Sequence, residues 1–284
     1  MSRHSYLLRL AWTGMLLILV QAYAFSQTDR PRTPSKDIVE LIHSDNLRHN
    51  QFLNPDARIL TGNVHLFHNG IQMYCDSAYQ YETTNSVEAF GHVKIIQGDT
   101  LSLTGDYLFY DGNTQLAQVR HNVVMKHRES TLYTDSLNYD RLYNIGYFFE
   151  GGRLVDGDNI LTSDWGEYFL NTKEALFNYN VHLTSPKFDL TSDTLHYNTQ
   201  TKWAEVMGPS NIKDKENNIY TEHAYYNTTT ENVRLMDRSV VANKNGRQMI
   251  GDSISYDKQS GMMRAFGNVI YDDKSNKNIA TSAC

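Results

Sequence analysis

The chain has 284 residues, of which 40% are hydrophobic and 20% are charged, and its formal net charge is −6 at pH 7. Because nucleic-acid binding depends on clusters of Lys and Arg, this acidic balance argues against nucleic acid as a partner. The two cysteines, Cys75 and Cys284, lie far apart in the sequence, so a disulfide-held scaffold is not expected.

The N-terminal segment 1–24 resembles a secretory signal peptide. Arg3 and Arg9 form a basic start, residues 10–20 are mostly apolar, and residues 22–24 (AYA) match a small-x-small cleavage site. A membrane anchor is the alternative, but the apolar run is shorter than the roughly 20 residues that a spanning helix needs. We predict a signal peptide over 1–24, a flexible leader over 25–37 and one repeat-built domain over 38–284.

A repeat with a period of about 29 residues runs through this domain. An acidic residue recurs at that spacing, and a looser first unit begins near Asp45; the seven regular positions are Asp76, Asp106, Asp135, Asp164, Asp193, Glu222 and Asp252. Repeats of this length indicate an array in which each unit stacks on its neighbours. Another unit opens just before Cys284, so we expect either a truncated chain or an incomplete unit that presents an open edge.

Each unit follows one pattern around its acidic residue. An apolar residue lies three positions before it, a small one directly before it, and a small or aliphatic one two positions after it. In six units the fourth position after it is Tyr: Tyr110, Tyr139, Tyr168, Tyr197, Tyr226 and Tyr256. This alternation predicts a strand with one buried face. The apolar positions −3 and +2 are an odd number of residues apart, which would place them on opposite faces of a straight strand. The chain is therefore predicted to bend or bulge at the acid.

Polar turn residues follow the tyrosine, and apolar residues return at positions +11 and +13, with Val at +17 in four units. Each period is therefore predicted to contain two or three short strands, which makes the domain an all-β solenoid. Helical periodicity is arguable only over residues 37–47. The tyrosines are predicted to stack as a ladder in the core; the alternative is that they line a channel for an amphipathic ligand.

No chemistry of a known catalytic type is evident. Single carboxylates that lie one full repeat apart do not make the oxygen cage that calcium needs, so each acid is instead expected to cap backbone N–H groups at its bend. His65, His68 and His92 lack the spacing of a metal site. We predict no enzyme, no metal and no cofactor; a β-helix carbohydrate enzyme is a minor alternative.

Several segments resemble the OstA family, whose members include LptA, LptC and the periplasmic N-terminal domain of LptD. The segments are 58–66 (RILTGNVHL), 90–101 (FGHVKIIQGDTL) and 73–79 (MYCDSAY), and the Asn-Val core recurs at residues 122–123 and 268–269. The resemblance covers residues 38–284. It implies an open β-jellyroll and lipopolysaccharide transport across the periplasm. It also implies edge-strand pairing with other jellyroll proteins of a transport bridge, or head-to-tail self-association.

On this interpretation an apolar groove would hold the acyl chains of lipid A, since each buried CH₂ contributes about 0.8 kcal/mol. The predicted lipid-binding residues are the inward positions +2, +13 and +17: Leu108, Leu137, Leu195, Ile254, Val119, Phe148, Phe177, Val206, Leu235, Val93, Val123, Val181 and Val269. The alternative function is a structural or glycan- or protein-binding β-solenoid of the cell envelope. Outward rows of aromatic residues would favour that alternative.

Overall fold

The computed structural model describes residues 37–50, 52, 54–274 and 278–282, and from Ile38 onward these described residues form one compact unit. The predicted signal peptide lies outside the described residues, as do residues 25–36 of the leader. The 23 strands are β1 Glu40–His43, β2 Asn46–Asn50, β3 Asn54–His68, β4 Ile71–Tyr81, β5 Ser86–Gln97, β6 Leu101–Asp111, β7 Leu116–His127, β8 Ser130–Asp140, β9 Ile145–Phe148, β10 Gly152–Asp156, β11 Asn159–Ser163, β12 Trp165–Phe169, β13 Glu174–Thr184, β14 Phe188–Asn198, β15 Trp203–Asp214, β16 Asn217–Asn227, β17 Val233–Leu235, β18 Ser239–Asn243, β19 Arg247–Gly251, β20 Ser253–Asp257, β21 Met262–Phe266, β22 Val269–Asp273 and β23 Asn278–Ser282.

These strands form one antiparallel sheet, which confirms the all-β class predicted from the repeat. Neighbours in sequence pair as a continuous meander from β3 to β8 and again from β13 to β16. After β16 the sheet divides into two branches of short strands, β18-β19-β22-β23 and β17-β20-β21. The segment 37–47 is not helical, because residues 40–43 and 46–50 pair with β3 as strands.

Each long strand is interrupted at its middle by a register shift, at the bend that the sequence predicted. In β4 the shift falls between Tyr74 and Ser77, and in β6 between Thr104 and Tyr107, so Asp76 and Asp106 lie inside it. The bend divides every unit into two walls. Wall 1 comprises the strand segments N-terminal to the acid and those paired with them, such as 71–74 and 93–97. Wall 2 comprises the segments C-terminal to the acid and their partners, such as 77–81 and 86–90.

The core lies between the two walls. Inward residues of wall 1, such as Leu103, and of wall 2, such as Leu108, are both fully buried and belong to one hydrophobic cluster. Along each strand these residues alternate with half-buried or exposed ones, as expected for a sheet with one face on the core. The sandwich is therefore filled by two facing sets of side chains rather than by a helix or a second domain.

The bends are held by an acid on one strand and an amide or imidazole on the next. Five acids accept a side-chain hydrogen bond of 2.6–2.9 Å: Asn63–Asp45, His92–Asp76, Asn122–Asp106, Asn180–Asp164 and Asn268–Asp252. All five donors have positive φ angles, and three follow a glycine that also has a positive φ. A Cβ at Gly91 would clash with Asp76 Oδ2, so the glycine leaves room for the carboxylate.

The expected capping of backbone N–H groups is therefore wrong in its donor for these five acids. Capping of a backbone N–H group is seen at Asp135, whose Oδ1 accepts a hydrogen bond from the backbone N–H of Asn122 at 3.3 Å. At the five bends named above, the left-handed conformation of the Asn or His brings its side chain to the acid of the preceding strand. The recurring Gly-Asn-Val motif is thus a bend motif, in which Val begins the next inward run.

The N-terminal end of the sandwich is covered by the chain that precedes β1. Val39 is buried; its backbone N–H donates to Asn85 Oδ1 and its carbonyl accepts from Gln80 Nε2, both at 2.8 Å. Gln80 occupies the position that is Tyr in the six later units. An amide can bind a backbone carbonyl that a phenol ring would displace, which explains the departure of the first unit from the pattern.

Candidate functional site

The rim opposite the bends is where the two walls could separate, and in most units a buried polar contact joins them there. In each contact a Tyr of wall 2 meets the residue that ends a strand of wall 1. We call these contacts clasps; they are His68–Tyr110 at 2.7 Å, Gln97–Tyr139 at 3.0 Å, His127–Tyr168 at 2.9 Å and Asp156–Tyr197 at 2.7 Å. The rings of these four tyrosines are buried in the core, and their hydroxyl groups bind the opposite wall. Stacking of the rings as a ladder stays a prediction.

The clasp at Asp156 carries charge. The Asp156 side chain is 1% exposed, and besides Tyr197 it accepts bonds from Lys202 Nζ at 2.6 Å and from Ser130 Oγ at 3.2 Å. Burial, with the Asp156 carboxylate beside it, raises the pKa of Tyr197, so the hydroxyl keeps its proton and donates it to the carboxylate. Asn159 bonds both the Tyr197 hydroxyl and Thr228 Oγ1, which extends the network toward the next unit.

The clasps end after Tyr197. Tyr226 is 7% exposed, and its hydroxyl has no hydrogen-bond partner within the described part of the chain. Its ring packs instead on Phe188 of wall 1, with ring centroids 4.3 Å apart. Tyr256, the tyrosine of the next unit, is only partly buried and likewise makes no hydrogen bond to a described residue. The rim is therefore clasped over residues 57–211 and unclasped over residues 212–274, which we call the clasped and open sections.

An apolar cavity of about 210 Å³ lies at the beginning of the open section. Both walls contribute to it: Ile212, Ile219 and Val241 from wall 1, and Val233, Leu235, Ile254 and Met263 from wall 2, with the rings of Phe188, Tyr226 and Tyr256. The inward column three residues before the acid shows the same change. Its members are fully buried as far as Leu190, and the last two, Ile219 and Met249, are only partly buried.

Charged residues stand at the mouth of this cavity. Lys187 Nζ pairs with Glu231 Oε1 across the rim, and Lys258 Nζ lies 3.1 Å from Glu231 Oε2. We call this three-residue contact the Glu231 bridge. The hydrogen bond from Lys187, followed by that from Lys258, lowers the pKa of Glu231. Both lysine side chains are about half exposed, so the bridge is solvated, unlike the buried clasps.

Twelve of the thirteen predicted lipid-binding residues are buried in the core between the walls. Only Leu235 and Ile254 line the cavity. Val269 is half-buried in the open section. The other ten pack against protein side chains in the clasped section: Leu108, Leu137, Leu195, Val119, Phe148, Phe177, Val206, Val93, Val123 and Val181. Contact of any of these residues with lipid stays a prediction.

Sequence reasoning missed the wall-1 members of the clasps and the Glu231 bridge. A signal was available for the clasps, because His68, Gln97, His127 and Asp156 recur once in each repeat, eight or nine positions before an acid. They were hard to recognise because the column changes residue type in every unit. The partners are 41 or 42 residues apart, a separation that the pattern within one unit does not contain.

The described residues contain no group of three or more His, Cys, Asp or Glu side chains placed to hold a metal ion. Nor do they contain a helix long and apolar enough to span a membrane. Cys75 is a free thiol, and burial raises its pKa to about 11, so it stays protonated at neutral pH. Cys284 lies outside the described residues.

A family model described as OstA-like protein matches residues 36–193. Among solved structures, LptH from Pseudomonas aeruginosa matches with 20% identity and a TM-score of 0.36, over 44% of this chain and 94% of that one. That protein is described as the LptA-homologous periplasmic component of the conserved lipopolysaccharide transport device. No curated protein matches the chain significantly.

Proposed function

The chain belongs to the OstA-like family, and from this premise we propose that it is a non-catalytic periplasmic protein that carries lipopolysaccharide. In this proposal its apolar interior shields the acyl chains of lipid A during transfer between the inner and outer membranes. The observation that carries the proposal is the apolar space between the walls, which is unclasped and hollow in the open section. An acyl chain in such a space would gain about 0.8 kcal/mol for each buried CH₂.

The proposal assigns two groups of lipid-contacting residues. Leu235 and Ile254 would touch a chain in the conformation described, because they already border the cavity. The ten predicted residues of the clasped section, such as Leu137 and Leu195, would touch lipid only if the walls separated. That separation would break the buried hydrogen bonds of the clasps. Transport along the whole roll would therefore require opening, whereas occupation of the open section would not.

Pairing at the sheet edges is the proposed means of association with other jellyroll proteins or with a second copy. In the described residues β21 pairs on one side only, with β20, and its Met262 and Phe266 side chains are exposed. An unpaired strand edge offers backbone donors and acceptors to an added strand, and the apolar side chains would be covered by it. The exposed Ile42 and Leu47 lie near the opposite end of the array.

The proposal is tested by mass spectrometry of lipids extracted from the mature protein after purification from a Gram-negative periplasm. We expect co-purifying lipopolysaccharide, and we expect Leu137→Asp or Leu195→Asp to abolish lipid carriage or folding. Circular dichroism separates those two effects. A folded wild-type protein that carries no lipopolysaccharide and takes up none when it is added would contradict the proposal.

One observation favours the alternative of a glycan- or protein-binding solenoid. Tyr79, Phe90 and Tyr107 form an aromatic row on the outer face of wall 2, with successive ring centroids 5.6 and 5.4 Å apart. Aromatic rows of this kind can contact sugar rings or a partner protein. The rings meet each other at 78° and 56° and are half-buried, however, so the row also stabilises the sheet by itself. Lipid-free protein that binds an envelope polysaccharide, with loss of binding in Phe90→Ser, would support this alternative.

A further inference from the structure

We infer that the cavity of the open section is a binding site for one hydrocarbon chain of an anionic amphiphile, and that the Glu231 bridge is its gate. The inference rests on the proposed function and narrows it. It assigns lipid binding to the open section alone and leaves the clasped section as packed support. The anionic head of the ligand would meet Lys187 and Lys258 at the rim.

The cavity is large enough for one alkyl chain of a ligand and too small for several. An engineered apolar protein cavity of about 150 Å³ stays dry and binds benzene. The present cavity is larger, at about 210 Å³, and its inner lining is aliphatic and aromatic. It therefore has room for the end of one alkyl chain, whereas several chains side by side would need the walls to move apart.

The inner end of the cavity is fixed by packed side chains. The rings of Phe188 and Tyr226 pack against each other at this end, tilted by 52°. The next contact inward is the Asp156 clasp, with its buried carboxylate and Lys202. An alkyl chain that reached this clasp would have to displace hydrogen bonds to a buried charge, which costs several kcal/mol. The Asp156 clasp therefore limits how far a chain can enter.

The Tyr226 hydroxyl supplies a polar group where the chain would meet its head. It is more than nine-tenths buried as a residue, borders the cavity, and lacks a hydrogen-bond partner among the described residues. Glu231, Asp214 and Lys258 also line the cavity, and the charges of Glu231 and Asp214 act on the Tyr226 hydroxyl. The hydroxyl can therefore donate to an oxygen of a ligand head group at the mouth of the cavity.

The Glu231 bridge suits a gate because it crosses the rim yet is weak. It joins Lys187 of wall 1 to Glu231 and Lys258 of wall 2, at the level where the inner units have clasps. Solvated ion pairs contribute about 0–1 kcal/mol and weaken with salt. The carboxylate or phosphate of an anionic amphiphile can replace Glu231 as the partner of the two lysines while its alkyl chain enters the cavity.

The first experiment blocks the cavity and uses dodecanoate as the probe. Val241 lines the cavity and is only partly buried, so Val241→Trp should fill the space without disrupting the fold. The matched control is Val240→Trp, one position along the same strand and on the other face. By isothermal calorimetry we expect wild type and the control to bind alike, and the blocked variant to lose about tenfold or more in affinity, or about 1.4 kcal/mol.

The second experiment opens the gate. Glu231→Gln should speed dodecanoate association several-fold at low ionic strength, because it removes the ion pairs and leaves Lys187 and Lys258 to attract the carboxylate. The control is Glu216→Gln, on a neighbouring turn, because Glu216 is exposed and makes no ion pair with any described residue. Equal rates for the two variants would overturn the gate.

These outcomes are separable from the test of lipopolysaccharide carriage. If wild type fails to bind dodecanoate, or if Val241→Trp binds it as well as Val240→Trp does, the cavity is not the chain site. Lipopolysaccharide that still co-purifies with Val241→Trp would then leave the transport function standing and place the lipid elsewhere. Loss of dodecanoate binding only in the blocked variant supports the site.

Discussion

The clasped and open sections are built from the same repeat but close their interiors differently. Tyr197 and Tyr226 occupy equivalent positions in consecutive units, and both rings are buried. Tyr197 donates its proton to a buried carboxylate across the rim, whereas Tyr226 meets a phenylalanine ring and leaves its hydroxyl without a described partner. The difference shows that the repeat specifies a two-walled frame, and that the residue type at the clasp positions decides whether a unit is sealed.

Most strands of the clasped section are also longer and more continuous than most of those in the open section. In the clasped section most strands run through the bend and tie the two walls together, as β14 and β15 do. Beyond β16 the walls continue as separate branches of three- to five-residue strands. Short strands make fewer cross-strand contacts, so the walls of the open section can separate with less loss of hydrogen bonding.

The largest expected difference concerns core leucines. Leu137→Ala should lower the free energy of unfolding by about 2–5 kcal/mol, because the side chain is fully packed and its loss leaves a new cavity. Leu235→Ala should cost about 2 kcal/mol, at the low end of this range, because Leu235 already borders empty space. Urea unfolding followed by circular dichroism measures both; equal losses would contradict a difference in packing.

The next difference concerns charged contacts at the rim. Lys202→Ala should cost about 3 kcal/mol, since it leaves the carboxylate of Asp156 buried without its cation. Lys187→Ala should cost about 0–1 kcal/mol, because the ion pair with Glu231 is solvated. Unfolding in the presence of added salt gives a second comparison, since salt should weaken only the contact at Lys187. If Lys187→Ala lowered the free energy of unfolding more than Lys202→Ala does, the ion pair at Glu231 would be the stronger contact across the rim, and the comparison would be contradicted.

Removal of single hydroxyl groups sharpens the comparison. Tyr197→Phe should cost about 1.5–3 kcal/mol, because it removes a hydrogen bond to a charged acceptor. Tyr226→Phe should change the free energy of unfolding by no more than about 0.5 kcal/mol, because its hydroxyl has no described partner to lose. A substantial loss at Tyr226 would mean that its hydroxyl is bound in solution and that the open section is clasped after all.

The smallest expected effect is a dependence on pH in the clasped section. Burial, with Arg128 and Lys173 nearby, lowers the pKa of His127 below its ordinary 6.5. The unfolded chain therefore binds more protons than the folded one just below pH 6.5, and stability is lost as the pH falls through that region. His127→Gln should reduce this loss between pH 7 and pH 5.5, because Gln serves the same role at residue 97. An unchanged pH profile would remove His127 as its source.

Much of the frame was predictable from the sequence because its signals are local. The bend follows from the odd step in apolar phase around residues such as Asp106, and the column of tyrosines follows from a fixed position in each unit. The identity of the bend donors was not predictable in the same way. Asn122 and His92 lie on the strand after the acids that they bind, 16 residues away, so the partner depends on strand register rather than on composition.

The closure of the rim escaped prediction for a related reason. A clasp joins residues from different units, as His127 and Tyr168 do, and its wall-1 member is a histidine, a glutamine or an aspartate according to the unit. A repeat is recognised from positions that keep the same residue type in every unit. A position whose residue type changes from unit to unit, as at the clasps, is therefore overlooked. The inward residues were therefore predicted as a uniform groove, whereas the structure has a packed part and a hollow part.

The most direct test of this account is photocrosslinking with photo-leucine in place of leucine throughout the chain. The labelled protein would be loaded with lipopolysaccharide, irradiated, digested and mapped by mass spectrometry. The account predicts lipid adducts at Leu235, which borders the cavity, and none at Leu108, Leu137 or Leu195, which are packed against protein. Adducts of similar yield at all four leucines would contradict it, and would mean that the walls open along their whole length to form a continuous groove.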